Sequence, residues 1–517
     1  LLVSLSIVIA APVAAQPGWT PGVQLATGTN LALALDGSGN ATAIWADTGR
    51  IRAARLEAAT GTWSTPVPIS ADGSTALFPR LAVNASGHAV AIWNDRGPAN
   101  ADRILRAATY TPASGWSSPQ LVAADGSPVD VGIDASGNAI AVSNRAIYFW
   151  EASRFDASTR LWGPAVPLFA TSTTTPSVVL AVAGTGDAFV LRGTDSPGFQ
   201  GVTAFRYEVA TTTWHPESLL ETGVVSPRLA SDGTGRFVAA WTRFESGTPV
   251  AEARQFSGGA WGTTARVGEG IEPREVTLGT DYGLLVGYNR QTRMVRGARV
   301  NPAAGTWSAP EDVGSAGATR PTTGPGSVPQ IRLAQASSGD AVAAWDVLQA
   351  GTTATIISAS RYTAPTPAWS SPIDVGQGSQ PRPAISPSGD ALLGWTGSAN
   401  ALLVSRSLVG TSAPVLSPAV VSRPNVTLTW APPTAGASPS NYTIVASLSA
   451  GGPVVASLTA GLETTLTVAA PDGTFYVRVV ATILGTPVSS NEIRVDVTPP
   501  VVPGPPRWGS AAGGGGR

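Results

Sequence analysis

Cysteine and lysine are absent from this 517-residue chain, and histidine is nearly so. Without Cys, disulfide scaffolds, thiolate nucleophiles and Cys-ligated zinc or iron–sulfur sites are excluded. All 32 basic side chains are Arg, which removes Schiff-base catalysis and the lysine of a phosphate-binding P-loop. His88 and His215 are too few for a multi-histidine metal site, so no metal and no cofactor is expected. Charge is scarce as well, at 13% of residues with a net charge of −1, so the basic field required by nucleic acid or an anionic membrane surface is missing. No later stretch reaches the roughly 18 apolar residues of a membrane-spanning helix. The chain is instead rich in hydrophobic residues (43%), Gly (58) and Trp (16), which supports a sizeable core and excludes wholesale disorder.

The first residues, Leu1-Leu-Val-Ser-Leu-Ser-Ile-Val-Ile-Ala10, are apolar, and Ala11-Pro-Val-Ala-Ala15-Gln16 follows with small residues at the spacing a signal peptidase accepts. Residues 1–15 read as a secretory signal, with a buried first strand as the bland alternative. Lacking an initiating Met and a basic leader, the segment is expected to be part of a longer signal. The expectation is a protein exported to the medium or the cell surface, acting as a monomer.

Internal repeats organise residues 16–410. A turn followed by a strand recurs as Asp36-Gly-Ser-Gly-Asn-Ala-Thr-Ala-Ile-Trp45, Asn84 to Trp93, Asp134 to Ser143 and Asp232 to Trp241. Weaker copies end at Leu191, Tyr288, Trp345 and Trp395, making eight. The Asx-x-x-Gly start supplies a tight turn, and the small and apolar residues after it suit a strand packed on both faces. A Trp-Pro element recurs in antiphase, from Trp19 through Trp63, Trp116 and Trp162 to Trp369, and a strand carrying an Arg (Arg55, Arg154, Arg206, Arg361) lies between. A fourth strand, usually opened by Pro, precedes the turn.

Four short strands per unit of about 48 residues is the size of a β-propeller blade. The phase adds that the first Trp-Pro strand precedes the first turn, while the last turn unit has no such strand after it. The expectation is all-β: an eight-bladed β-propeller, seven blades being the alternative if the unit around Leu278 to Tyr288 is not separate. The N-terminal strand closes it as the outer strand of the last blade. The repeated Trp and third-strand Arg are read first as packing and pairing between blades, and second as ligand platforms.

After a Ser/Pro/Val-rich linker come Pro424-Asn-Val-Thr-Leu-Thr-Trp430, Asn441-Tyr442-Thr-Ile-Val, Gly473-Thr-Phe-Tyr476-Val-Arg-Val-Val-Ala481 and Ser489-Ser-Asn-Glu-Ile-Arg-Val-Asp-Val497. The core Trp, the following Tyr and the Tyr-x-x-x-Val-x-Ala strand resemble a fibronectin type III domain over residues 411–498. The alternating strands alone suggest a β-sandwich. The resemblance implies a spacer or protein-contact module. Residues 499–517, rich in Pro and Gly, read as a disordered tail.

Where chemistry could sit follows from the propeller expectation, since the innermost strand lines the channel. The residue after the opening Pro is Arg80, Arg228, Arg274 or Arg382 in four units and Gln330 in a fifth, so four guanidinium groups are expected at one channel mouth. Such donors suit a carboxylate, sulfate or phosphate, or a glycan carrying one. Asp47, Asp95 and Asp346 end the second strand near that mouth, either contributing to the site or, with Glu272 and Glu275, neutralising the Arg groups as structural pairs.

Clustered arginines are shared with sialidase-type glycosidases, which the repeats resemble in part: Gly61-Thr-Trp63 and Gly305-Thr-Trp307 match the end of that family's repeated box, without its Asp. That resemblance implies a glycan-cleaving alternative, a hydrolase or lyase, but catalytic residues are not identifiable. A structural surface or adhesion component is the third class. Asp36-Gly-Ser-Gly-Asn40 has the opening spacing of a calcium loop, yet the later carboxylate is missing and sister copies carry Asn84, Ala183 or Ser386, so an Asx turn accounts for it.

Overall fold

A computed structural model describes residues 19–497 apart from 74, 97–102, 146–147, 172–175, 197–198, 319–327, 365–366, 408–412, 434–438 and 484–485. The expected signal segment 1–15 and tail 499–517 lie outside the described residues. The chain is all-β: among the described residues there is no α-helix, and none is long and apolar enough to cross a membrane. It divides into two compact units, within 1–409 and within 410–517.

The turn-plus-strand repeat folds as its residue types dictate. Asp36 Oδ1 accepts the N–H groups of Ser38 and Asn40, both at 2.9 Å, and Gly39 takes the positive φ (81°) that closes the turn. Asn84, Asp134 and Asp232 do the same for their own turns. The strand that follows is covered on both faces. In Ala41–Asp47 the six residues before Asp47 are all buried, which is why small and apolar residues run without alternation. Trp45, Trp93, Trp241, Trp345 and Trp395 lie on these strands at no more than 1% exposure.

In the first unit the described residues form eight antiparallel sheets, a propeller-like arrangement. The first sheet orders Thr29–Leu35, Ala41–Asp47 and Arg50–Glu57, with Thr62–Trp63 and Val67–Pro68 both paired to the outside of Arg50–Glu57. The eighth takes Ser379–Ile385, Ala391–Thr396 and Ala401–Ser407, and its outer strand is Val23–Thr27 from the other end of the unit. Thr20 N–H donates to Arg406 carbonyl O (2.9 Å), Ser405 Oγ donates to Thr20 carbonyl O (2.6 Å), and the Trp19 indole is buried in the same core as Trp395.

The first strand of each sheet packs against the first strand of the next. The series runs Thr29–Leu35, Thr75–Val83, Ser127–Ile133, Ser177–Val182, Val224–Ser231, Glu272–Leu278, Ile331–Gln335 and Ser379–Ile385, and the last packs back on the first. These inner strands therefore form a closed ring. Six of them carry a β-bulge before mid-strand, and in four the bulge is built on a left-handed residue: Asn30, Phe78, Ser226 and Gln380, with φ between 56° and 58°. The bulges set which side chain each inner strand presents at a given level.

The second unit has two antiparallel sheets. Val415–Leu416, Asn425–Ala431, Val420–Ser422 and Thr465–Ala469 form one, and Val454–Gly461, Asn441–Ser447, Gly473–Ile483, Thr486–Ser489 and Ile493–Val497 the other. Between them lie Leu428, Trp430, Ile444, Val479 and Val497, with Trp430 and Tyr442 packed edge to face at 5.6 Å between ring centroids.

Candidate functional site: a charged ring on the inner strands

Strand pairing defines one level across all eight inner strands. Opposite Ile44, Ile92, Val142, Leu191, Ala240, Val286, Ala344 and Gly394 lie Ala32, Arg80, Asp130, Val179, Arg228, Glu275, Arg332 and Arg382. Six of the eight are charged, four Arg against two carboxyls, and all six are partly accessible.

The arginines are held alike. Arg80 Nε donates to Val129 carbonyl O (3.1 Å), Arg228 Nε to Arg274 carbonyl O (2.6 Å) and Arg382 Nε to Leu31 carbonyl O (3.0 Å), each acceptor being on the inner strand of the next sheet. In each case Nη1 donates to the carbonyl of the residue just before, Pro79, Pro227 or Pro381. Arg332 Nη1 donates likewise to Ile331 carbonyl O (3.1 Å). Two hydrogen bonds each fix the planes of Arg80, Arg228 and Arg382, against one for Arg332, and Nη2 of those three has no hydrogen-bond partner among the described residues.

Burial pushes the Arg228 guanidinium below its usual range, Glu275 opposing the shift. Arg382 is lowered to about 10, first by burial and then by the positive charges of Arg332 and Arg80. The two carboxyls move the other way. Asp130 is raised to about 6 by burial, against the opposing pull of the Val131 N–H (2.9 Å) and Arg80. Glu275 is raised by burial against Arg332, Arg228 and Arg382, and its approach to Arg332 is a loose 3.8 Å. With both acids ionised the ring carries a net charge of +2, four Arg less two carboxylates, and protonating them raises it.

Of the residues singled out from the sequence, Arg80, Arg228 and Arg382 share this level, and Arg274 and Gln330 do not. The bulge between Pro273 and Glu275 displaces Arg274 by one position, so that Glu275 takes the level. Arg274 Nη2 instead donates to Glu272 Oε2 at 2.6 Å, and Arg290 Nε reaches the other oxygen of Glu272 at 2.5 Å. Gln330 precedes its strand, is exposed, and donates its backbone N–H to Asp346 Oδ1 at 2.7 Å. Asp47 and Asp95 are set apart from the ring, each accepting from a third-strand arginine: Arg52 Nε at 2.8 Å and Arg106 Nε at 2.9 Å. The fifth sheet reverses the charges of that pair, with Arg243 Nε donating to Glu252 Oε1 at 2.9 Å.

The opening Pro does not mark Asp130 or Arg332 in the sequence, and it leaves Glu275 readable only as a neutralising acid, because bulges make the spacing from that Pro variable. Counting back four residues from the turn residue (Asp36, Asn84, Asp134, Ala183, Asp232, Gly279, Ala336, Ser386) lands on every member of the ring. The repeated third-strand arginines serve adjacent sheets: Arg55 stacks on Tyr110 (4.3 Å) and Arg206 on Phe256 (5.1 Å), and Arg361 Nη1 donates to Ser407 Oγ (2.9 Å).

No protein-family model matches the chain, and no curated protein does. Solved structures with a similar fold include the Dos1 propeller (9% identity, 75% of this chain and 94% of that one, TM-score 0.47). A PL25 ulvan lyase (10%, 69% and 95%, 0.42) and the Hadza microbial sialidase Hz136 (11%, 60% and 74%, 0.34) also match. Likeness at this level carries no argument about activity.

Proposed function

We propose that the protein is an exported binding module, an eight-bladed β-propeller followed by a fibronectin type III domain, whose central channel binds an anionic ligand or an acidic glycan. The observation that carries this reading is the ring of Arg80, Arg228, Arg332 and Arg382. Each guanidinium donates to a backbone carbonyl, among the described residues only Arg332 has a carboxylate near, Glu275 at 3.8 Å, and each remains partly accessible. Permanently charged, preoriented donors of this kind attract oxyanions at little ordering cost. The eight sheets and the packing of the eighth inner strand on the first support the blade count, and the two-sheet core around Trp430 and Tyr442 supports the type III assignment. Export rests on the apolar opening of the sequence.

A second reading, cleavage of a glycan in the channel, draws on Asp130 and Glu275, two carboxyls whose raised pKa values suit proton donation. One experiment separates the two: native mass spectrometry of the chain with acidic and neutral oligosaccharides, read for retention and for shortened products. Retention of acidic chains alone, weakened at least tenfold by Arg228→Ala together with Arg382→Ala, is the expected outcome. Shortened products that vanish in Asp130→Asn would replace binding by cleavage. Equal retention of neutral chains would sink the anionic reading.

A further inference from the structure

Charge is not spread evenly around the ring. In chain order it reads Ala32, Arg80, Asp130, Val179, Arg228, Glu275, Arg332, Arg382, and Arg382 packs back toward Ala32. One arc, Arg332, Arg382, Ala32 and Arg80, contains three guanidinium groups and no acid. The opposite arc, Asp130, Val179, Arg228 and Glu275, contains both acids. We propose that the basic arc is a seat for one tetrahedral oxyanion, a sulfate or phosphate group, held by Arg382 between Arg332 and Arg80. This rests on the channel-binding reading above and narrows it to a place and a ligand class.

Three observations support the seat. Arg382 is flanked in the ring by Arg332 on one side and by Ala32 and then Arg80 on the other, and the carboxyls that oppose these charges, Glu275 and Asp130, both stand outside the arc, so three guanidinium groups share two acids. The nearest acids stand outside the arc's ends, Glu275 beyond Arg332 at 3.8 Å and Asp130 beyond Arg80. Second, the carbonyl of Leu31 anchors Arg382 Nε at 3.0 Å and holds the guanidinium against the strand that carries Ala32, on the Arg80 side of the arc. Third, the geometry of the free donors selects the ligand. In Arg80 and Arg382 both Nε and Nη1 are committed to backbone carbonyls, so each offers chiefly its Nη2. A carboxylate is best served by the two parallel N–H groups of one guanidinium. Single donors from separate arginines suit an acceptor with oxygens in several directions, as in sulfate or phosphate.

The test is calorimetric titration of the full chain with inorganic sulfate, inorganic phosphate, a sulfated disaccharide, acetate and glucuronate at constant ionic strength. Sulfate and phosphate should bind at least tenfold more tightly than either carboxylate. The sulfated disaccharide distinguishes an esterified sugar from the free ion by binding more tightly than inorganic sulfate. Arg382→Gln should reduce sulfate affinity at least tenfold, whereas Arg266→Gln, on the outer strand Ala265–Glu269, should change it less than threefold. If Arg382→Gln does not fold, Arg80→Gln and Arg332→Gln answer the same question. Carboxylates binding as tightly as sulfate would overturn the ligand class. Binding lost in Arg228→Gln but kept in Arg382→Gln would overturn the arc while leaving the channel reading standing. If neither these ions nor acidic oligosaccharides bind, both readings fail together.

Discussion

At the scale of single residues, Asp130 is the group whose environment has the clearest measurable consequence. Its carboxyl is raised from 3.8 to about 6, chiefly by burial on the inner strand. A carboxyl with a folded pKa above its unfolded value binds its proton more tightly in the folded state. Its contribution to stability is therefore full below about pH 4 and is lost as pH rises through about 6. Asp130→Asn removes that titration, so the melting temperature of the variant should gain on that of the parent between pH 4 and pH 7. Calorimetric melts at four pH values in that window check it, and parallel curves would show that Asp130 titrates normally. The tryptophans give a second residue-scale expectation. Trp93 is fully buried whereas Trp63 is only partly so. Trp93→Ala should cost about 3–5 kcal/mol in denaturant unfolding and Trp63→Ala distinctly less.

At the scale of the element, the turn and the strand after it were legible in the sequence because their physics is local. An Asx oxygen two and four residues from the N–H groups it accepts, a Gly at positive φ and a run of small apolar residues need no knowledge of the partner strand. Asp134 shows what that turn is worth. Its carboxylate is 4% exposed and accepts Ser136 N–H and Asn138 N–H at 2.8 Å, with Asn138 Nδ2 on its other oxygen at 2.8 Å. Asp134→Ala should destabilise the chain by about 1.5–3 kcal/mol, measured as a lower urea midpoint, while Asp134→Asn should retain most of the stability, as Asn84 does naturally in the preceding turn. The inner strand was less legible for the opposite reason. Its bulges add a residue at positions that differ among sheets, so Pro273 and Pro381 look alike in sequence while Arg274 and Arg382 end one position apart. The charge pairs of the second and third strands are similarly opaque, because Asp47–Arg52 and Arg243–Glu252 perform the same pairing with the charges exchanged.

At the scale of the whole first unit, its integrity depends on contacts between segments about 385 residues apart. Val23–Thr27 covers the outer edge of Ala401–Ser407, and Trp19 fills the core that also holds Trp395 and Val375. Removing residues 1–27 would expose a strand edge with unpaired N–H and carbonyl groups beside an emptied indole site. Such an edge is a template for pairing with another chain. The truncated protein should therefore melt at a lower temperature and self-associate with rising concentration, by light scattering or sedimentation. A synthetic peptide spanning residues 17–28 should reverse both effects by adding back the missing strand, with a melting temperature that climbs with peptide concentration as binding linkage requires. A peptide with Trp19→Ala should do so much less well, because strand pairing alone leaves the indole site empty. If the truncated chain stays monomeric with an unchanged melt, the eighth sheet does not need its outer strand, and closure by the far end of the unit is not what holds the ring together.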